Sequence, residues 1–185
     1  MSGPLTEEIR GILLALARRS VETKLEEGRL LRVGEDFESV APEKRGAFVT
    51  LKDAGGDLRG CIGTVFPVYP LEDTVVRMAC AAALEDPRFP PVNRGELPSL
   101  SVEISALTVP EPVPDVERIE IGRHGLIVTS GLSKGLLLPQ VAPEWGWERE
   151  EFLRHTCMKA GLPAEAWKDP GTQIEWFEAE VWGES

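Results

Sequence analysis

The sequence predicts an α+β fold in which an antiparallel sheet is flanked by helices. Segments with the 3.6-residue apolar period of amphipathic helices are mixed with segments that alternate apolar and polar residues, as strands do. These segments do not follow one another in the regular strand–helix–strand order that a parallel sheet requires. With 185 residues, 42% of them hydrophobic, the chain can bury the core of one domain.

Three segments are predicted to be helices. Residues 6–27 carry apolar side chains at approximately helical spacing, with Thr6 as the cap at the start and Gly28 as the stop. Residues 71–84 form an alanine-rich helix that ends before "EDPRFPPV", because the prolines cannot continue it. Residues 147–160 form the third helix, which ends at a glycine.

Alternating apolar residues and turn signals predict the strands. They comprise residues 46–53, 57–64, 101–109, 116–122, 124–130, 135–140 and 172–182. The first two flank the turn sequence "DAGGD" and are expected to form a hairpin. The prolines of residues 110–114 make a stiff connector, since proline cannot donate to a ladder. We therefore expect a lobe boundary near 110–114, within a single domain that spans residues 1–185.

The composition argues against several classes of function. A net charge of −11 disfavours binding to nucleic acid, whose phosphates select basic proteins, and binding to an anionic membrane surface. No apolar run approaches the roughly 20 residues of a membrane-spanning helix. The acidic start of the chain does not resemble a secretory signal, so we expect a cytoplasmic protein. Many prolines and few amide side chains are consistent with heat tolerance.

Neither a metal nor a bound cofactor is expected. The cysteines Cys61, Cys80 and Cys157 are predicted to be free thiols, because an odd number does not make a disulfide framework. His155 and Cys157 lie two residues apart on a predicted helix, where they point in different directions and cannot share one ion. The sequence also lacks a paired-cysteine zinc motif and a phosphate-binding loop.

The segment "DLRGCIGT" at residues 57–64 is the main candidate for a functional site. In a regular strand, Arg59 and Cys61 share one face, while Leu58 and Ile62 face the core on the other. A guanidinium close to a cysteine favours its thiolate form. We therefore expect Cys61 to be a candidate nucleophile and Arg59 a candidate partner for an anionic ligand.

The glycines of this segment allow two interpretations. Gly60 and Gly63 leave space near the sulfur and expose backbone N–H groups, as a shallow site for an anion or a carbonyl group requires. Alternatively, the glycines mark a β-bulge, and Cys61 is buried as a small hydrophobic residue. The sequence alone does not decide between a ligand-binding and a structural role.

Other polar residues are candidates for the same site. His124 is a possible base for Cys61 if the fold brings the two together, and Glu103 is a possible partner that orients the histidine. The alternatives are a turn histidine bonded to backbone and a carboxylate on a solvated strand face. Gln140 follows a predicted buried strand, where its amide would need a partner such as a ligand. Trp145 and Trp147 are expected to pack at a helix start or to line a pocket.

Several stretches together resemble the AMMECR1 family. "GAFVTLK", "LRGCIGT", "AALEDPRFPPV", "VEISAL", "GRHGLIV", "GLLLPQVAPEWGW" and "HTCMKAGLP" occur in the family's order, over roughly residues 5–182. The most specific element is the signature "LRGCIG", which falls on residues 58–63 without a departure. The resemblance implies an α+β fold with a larger and a smaller lobe, in an intracellular protein.

The family carries no settled reaction, so two classes of function remain open. The chain is either a small-molecule-handling enzyme or ligand-binding protein that uses Cys61 with Arg59, or an adaptor without catalysis. The resemblance implies association, in prokaryotes, with Memo-like proteins and radical S-adenosylmethionine proteins. Such a partner would be a separate protein, because this chain carries no segment of either kind.

Overall fold

A computed structural model describes residues 4–184 and shows four α-helices and two antiparallel four-stranded sheets in that range. The helices are α1 (Glu7–Glu27), α2 (Leu71–Leu84), α3 (Val141–Trp145) and α4 (Arg149–Lys159). The strands are β1 (Ala47–Lys52), β2 (Leu58–Thr64), β3 (Ser101–Leu107), β4 (Glu111–Pro112), β5 (Gly125–Ser130), β6 (Ser133–Leu137), β7 (Gln173–Phe177) and β8 (Ala179–Gly183). The predicted α+β class is confirmed, with two sheets rather than one.

The chain divides into two compact units, the first formed by residues 4–109 with 180–184 and the second by Pro110–Ala179. The sheet of the first unit has the order β2-β1-β3-β8, so β2 is an edge strand. Helix α2 packs on β1 and β2, and α1 packs on α2 and β3. Apolar side chains from these helices and strands form one buried core, which fixes the sheet against the helices.

Capping residues set the ends of α1. The hydroxyl of Thr6 accepts the N–H of Ile9 at 3.3 Å, and Gly28 ends the helix in the left-handed conformation with φ of 72°. The chain returns to this unit at Glu180. The carboxylate of Glu180 accepts hydrogen bonds from the buried Arg45 at 2.8 Å and from Arg10 at 3.1 Å, which ties β8 to the rest of the unit.

The second unit has the strand order β4-β7-β5-β6, and α4 packs on β5 and β6. Its core contains the buried Leu126, Val128, Phe152, Leu153 and Cys157. The period of α4 therefore places Cys157 in the core, as expected from its spacing with Leu153.

Two predicted strands are wrong. Residues 116–122 do not form a strand, because Asp115 accepts the N–H of Glu117 at 3.0 Å and starts a short 3₁₀ helix at Val116–Arg118. The predicted strand 172–182 is two strands, β7 and β8, which belong to different sheets. The alternation of the sequence continues across the point where the chain changes sheets, so periodicity could not reveal the break.

The glycines of β2 are required by close packing. A Cβ atom on Gly60 would lie 2.1 Å from the carbonyl oxygen of Ala82 in α2, and one on Gly63 would lie 2.2 Å from the ring of Phe48. Both distances are far inside van der Waals contact. The strand and the helix α2 therefore approach each other at Gly60 as only a glycine permits.

We predict that Gly60→Ala destabilises the protein by about 3 kcal/mol, because the methyl group forces the backbone of α2 away from the strand. Gly11→Ala is the matched control. Gly11 lies inside α1, and no atom outside the helix's own backbone lies within 4 Å of the new methyl group, so this variant should gain roughly 0.5–1 kcal/mol. Urea unfolding measures both, and a fully stable Gly60→Ala protein would contradict the observed packing.

Candidate functional site

A β-bulge in β2 changes the predicted directions of the side chains. Leu51 pairs with Gly60, but the next residue, Lys52, pairs with Leu58, so Arg59 is the extra residue. Because paired residues share a face, Leu58 lies on the face of Lys52 and not toward the core, and it is 42% exposed. The predicted alternation of side chains between the two faces is therefore wrong for the part of β2 that precedes Gly60.

The bulge lets the Arg59 side chain bind the segment that follows α2. The guanidinium forms a two-point ion pair with Glu96, in which Nε donates to Oε1 and Nη2 donates to Oε2 at 3.1 Å. Nη2 also donates to the carbonyl of Pro90 at 2.9 Å, while Nη1 is buried and has no hydrogen-bond partner among residues 4–184. The neighbouring Arg59 guanidinium holds the pKa of Glu96 below its usual range. Arg59 thus joins the signature strand to residues 90–96.

The thiol of Cys61 lies on the polar face of the sheet. Its Sγ accepts a hydrogen bond from the hydroxyl of Thr50 at 3.2 Å. Thr50 lies directly opposite Cys61 on one side and Glu103 on the other, so these three side chains form a row across β2, β1 and β3. Glu103 accepts a hydrogen bond from Lys52 at 2.8 Å. Cys61 is half-buried, whereas Cys80 and Cys157 are buried.

The backbone of Cys61 is bound at the outer edge of the strand. Its N–H donates to Oδ2 of Asp86 at 2.9 Å, and its carbonyl accepts from Nη2 of Arg88 at 3.3 Å. Arg88 also donates to Asp86 through Nε at 3.0 Å and Nη2 at 2.7 Å. The hydrogen bonds from the Arg88 side chain, followed by the one from the Cys61 N–H, hold the pKa of Asp86 far below its usual range.

Sequence reasoning missed Asp86 and Arg88 as members of the site. The pKa of Arg88 is raised mainly by its hydrogen bond to Asp86, and the negative form of Cys61 contributes to the same shift. The guanidinium groups of Arg59 and Arg88 both lie over the ring of Phe89, at 5.9 and 5.6 Å from its centre. The available signal was "DPRF", an acidic and a basic residue beside an aromatic ring in a proline-rich segment.

His124 lies in the second unit and is almost fully buried. Its Nδ1 accepts the backbone N–H of Glu120 at 2.9 Å, its ring stacks on Trp176 with centroids 4.4 Å apart, and Nε2 is 3.8 Å from the carboxylate of Glu178. Burial lowers the pKa of His124. Because Nδ1 accepts a hydrogen bond, the neutral ring carries its proton on Nε2. The backbone bond is the arrangement expected of a turn histidine.

Gln140 also belongs to the second unit, where it directly precedes α3. Its side chain is exposed, so the buried amide from which we predicted a ligand contact is not present.

Among the predicted site residues, the structure places Cys61 and Glu103 in one row of the sheet. Arg59 is joined to this part of the strand through residues 86–96. Within residues 4–184, no three histidine, cysteine or acidic side chains are grouped so that they can hold a metal ion. No helix in that range has the length and apolar character needed to cross a membrane.

The fold and the site define a class of protein. It is an α+β protein whose edge strand has glycines at its close contacts and is bound at a cysteine by an aspartate–arginine pair. The chain belongs to the AMMECR1 family, whose model matches residues 14–182, and this confirms the resemblance.

The relatives carry no function in their names. A protein of Thermococcus gammatolerans is 48% identical, over 97% of this chain and 92% of its own, and one of Methanothermobacter thermautotrophicus is 47% identical, over 98% and 97%. The crystal structure of uncharacterized protein PH0010 from Pyrococcus horikoshii has 43% sequence identity and a TM-score of 0.79, covering 98% of this chain and 94% of that one. These thermophilic sources fit the heat tolerance that the composition predicts.

We predict that Asp86→Asn lowers stability at neutral pH and flattens the loss of stability in acid. The pKa of Asp86 is depressed in the folded protein, so its contribution is complete above the unfolded value of about 3.9 and is lost as the pH falls below it. The variant lacks this contribution at every pH. Thermal unfolding between about pH 2 and pH 7 measures the difference.

Asp57→Asn is the control for this measurement, because Asp57 is exposed next to the hairpin turn. It should leave the acid limb of the wild-type curve unchanged. An acid limb that is equally steep in Asp86→Asn and the wild type would show that the Asp86 carboxylate does not hold the strand.

Proposed function

We propose that this protein binds a small anionic metabolite, a carboxylate or a phosphate, beside Cys61. The observation that carries the proposal is the pair of guanidinium groups over Phe89, next to the signature strand. Nη1 of the exposed Arg88 donates to no protein group among residues 4–184, whereas Nη1 of Arg59 is buried and the other donors of Arg59 bind Glu96 and Pro90. Unused guanidinium donors are suited to carboxylate and phosphate oxygens.

The exposure of the groups supports a site that a ligand can reach. The Arg88 side chain is 54% exposed, and Cys61 is the one half-buried thiol of the three. Asp86 fixes both Arg88 and the Cys61 backbone, so the donors are held in place before a ligand arrives. Such preorganisation lowers the cost of binding.

In this proposal, Cys61 contacts the ligand and is not an activated nucleophile. Within its own unit, the thiol's hydrogen-bond partner is the hydroxyl of Thr50, which is no base at neutral pH. Both histidines of the chain lie in the other unit, and Nδ1 of His124 already accepts a backbone hydrogen bond. Arg88 supplies the hydrogen bonds, and Arg59 lies beside it over the same Phe89 ring. Glu103 lies in the same row of the sheet as the thiol, while the space over Gly63 is filled by the ring of Phe48. The catalytic role of His124 stays a prediction.

We predict that the native protein reacts with N-ethylmaleimide at Cys61, and that Cys80 and Cys157 react only on unfolding. Inorganic phosphate and a panel of small phosphates and carboxylates serve as probes, and mass spectrometry locates the label. A bound anion should slow labelling of Cys61. Arg88→Gln should weaken this protection about tenfold, through the loss of a charge-assisted donor, and Arg88→Lys should retain part of it.

Two results would contradict the proposal. One is labelling of Cys61 only in the unfolded protein, and the other is protection that persists unchanged in Arg88→Gln. A change in the pH dependence of labelling in His124→Gln would instead favour the catalytic pairing of Cys61 and His124. Cooperative unfolding of each variant confirms that it is folded.

A second candidate is an adaptor, and exposed apolar residues favour it. Phe66, Val68 and Tyr69 follow β2 and are 44%, 55% and 41% exposed. Clustered apolar exposure is typical of protein interfaces, and the family suggests a Memo-like or radical S-adenosylmethionine protein as the partner. If this candidate is right, Val68→Ser with Tyr69→Ser abolishes co-purification with such a protein, and Arg88→Gln does not.

A further inference from the structure

Three aromatic rings stack on the surface of the second unit. The rings of Trp147 and His155 are parallel within 2°, with centroids 3.8 Å apart, and Trp145 lies 6.0 Å from Trp147 at an angle of 17°. Gly146 between the tryptophans has a φ of 69°, a left-handed conformation that ends α3 and lets the chain reverse. We call Trp145, Trp147, His155 and the nearby Met158 the tryptophan platform.

The platform is exposed in a way that core packing does not explain. Trp145 is 71% exposed and Met158, one helical turn beyond His155, is 56% exposed. Trp147 and His155 are half-buried, so the stack packs against the second unit at His155 and is exposed to solvent at Trp145. Large apolar groups grouped on a surface mark interaction sites, whereas isolated ones need no explanation.

Three acidic residues lie close to the platform in the sequence. Glu144 and Glu148 directly adjoin the tryptophans in sequence, and Glu150 lies in the first turn of α4. None of the three forms an ion pair within residues 4–184, but the Glu148 carboxylate accepts the backbone N–H of Glu151 as the cap of α4. Residues 144–160 contain three lysine or arginine side chains. Two of them are already paired, Arg149 with Glu117 and Arg154 with Glu165. The charge next to the platform is therefore negative.

We propose that the tryptophan platform binds an arginine side chain that a partner protein presents. A guanidinium is the group that stacks on an indole face and at the same time donates hydrogen bonds to carboxylates. A lysine provides the charge without the planar stacking surface, and a neutral ring provides stacking without the charge. The platform belongs to the second unit and the Cys61 site to the first, and the proposal does not depend on the proposed anion ligand.

A short peptide with two arginines tests this proposal. Binding to the full chain is measured by calorimetry and by the NMR shift of the Trp145 indole N–H, and the same peptide with citrulline in place of arginine is the neutral control. The arginine peptide should bind about tenfold more tightly than the citrulline peptide, and the difference should shrink with added salt. Glu144→Gln with Glu150→Gln should remove most of that difference.

Variants of the platform provide the second arm. Trp145→Ala should weaken the arginine peptide about fivefold, and Trp145→Phe should weaken it less, since phenylalanine keeps part of the cation–π attraction. Leu132→Ala is the matched control, because Leu132 is a fully exposed apolar residue of the same unit. The proposal is overturned if the wild type binds neither peptide, if it binds both equally, or if Trp145→Ala binds like Leu132→Ala.

Discussion

The hydrogen bond from the backbone N–H of Cys61 to the carboxylate of Asp86 is the constraint on which the site depends. Strand β2 is at the edge of its sheet, so the outward N–H and carbonyl of Cys61 have no strand to pair with. Asp86 and Arg88 bind these two groups in place of a neighbouring strand. Arg59 of the same strand binds the loop farther along its sequence, at Pro90 and Glu96. The edge is thereby closed by side chains from a proline-rich loop.

Contacts that hold this edge strand in place account for most residues of the signature "LRGCIG". Arg59 binds the covering segment, Gly60 admits the backbone of α2, Ile62 packs on the core, and Gly63 lies under the ring of Phe48. At Cys61 the backbone performs the structural role, while the half-buried thiol accepts a hydrogen bond from the hydroxyl of Thr50. The fold therefore requires two side chains of the signature least, those of the exposed Leu58 and of Cys61, and of these two only the thiol carries reactive chemistry, so the functional proposal centres on Cys61.

The sequence allowed prediction of those features that local interactions decide. Helix α2 has the predicted bounds of 71–84, and α1 differs from its prediction by one residue, because Thr6, Gly28 and the prolines act on their own neighbours. The glycines had allowed a β-bulge in this strand, but alternation could not place it at Arg59, since an inserted residue leaves the pattern of apolar residues almost unchanged. The Asp86 contact was missed for a related reason, because it joins residues 25 apart through tertiary packing that no periodicity reports.

Hydrogen exchange at the amide of Cys61 tests this account most directly. If Asp86 holds the edge, the Cys61 N–H should exchange within about tenfold of the rate of the Val49 amide in the central strand β1. Asp86 and the ladder would then open together, as one cooperative part of the first unit. Exchange of the Cys61 amide at the rate of an unprotected edge N–H, while Val49 stays protected, would contradict the account.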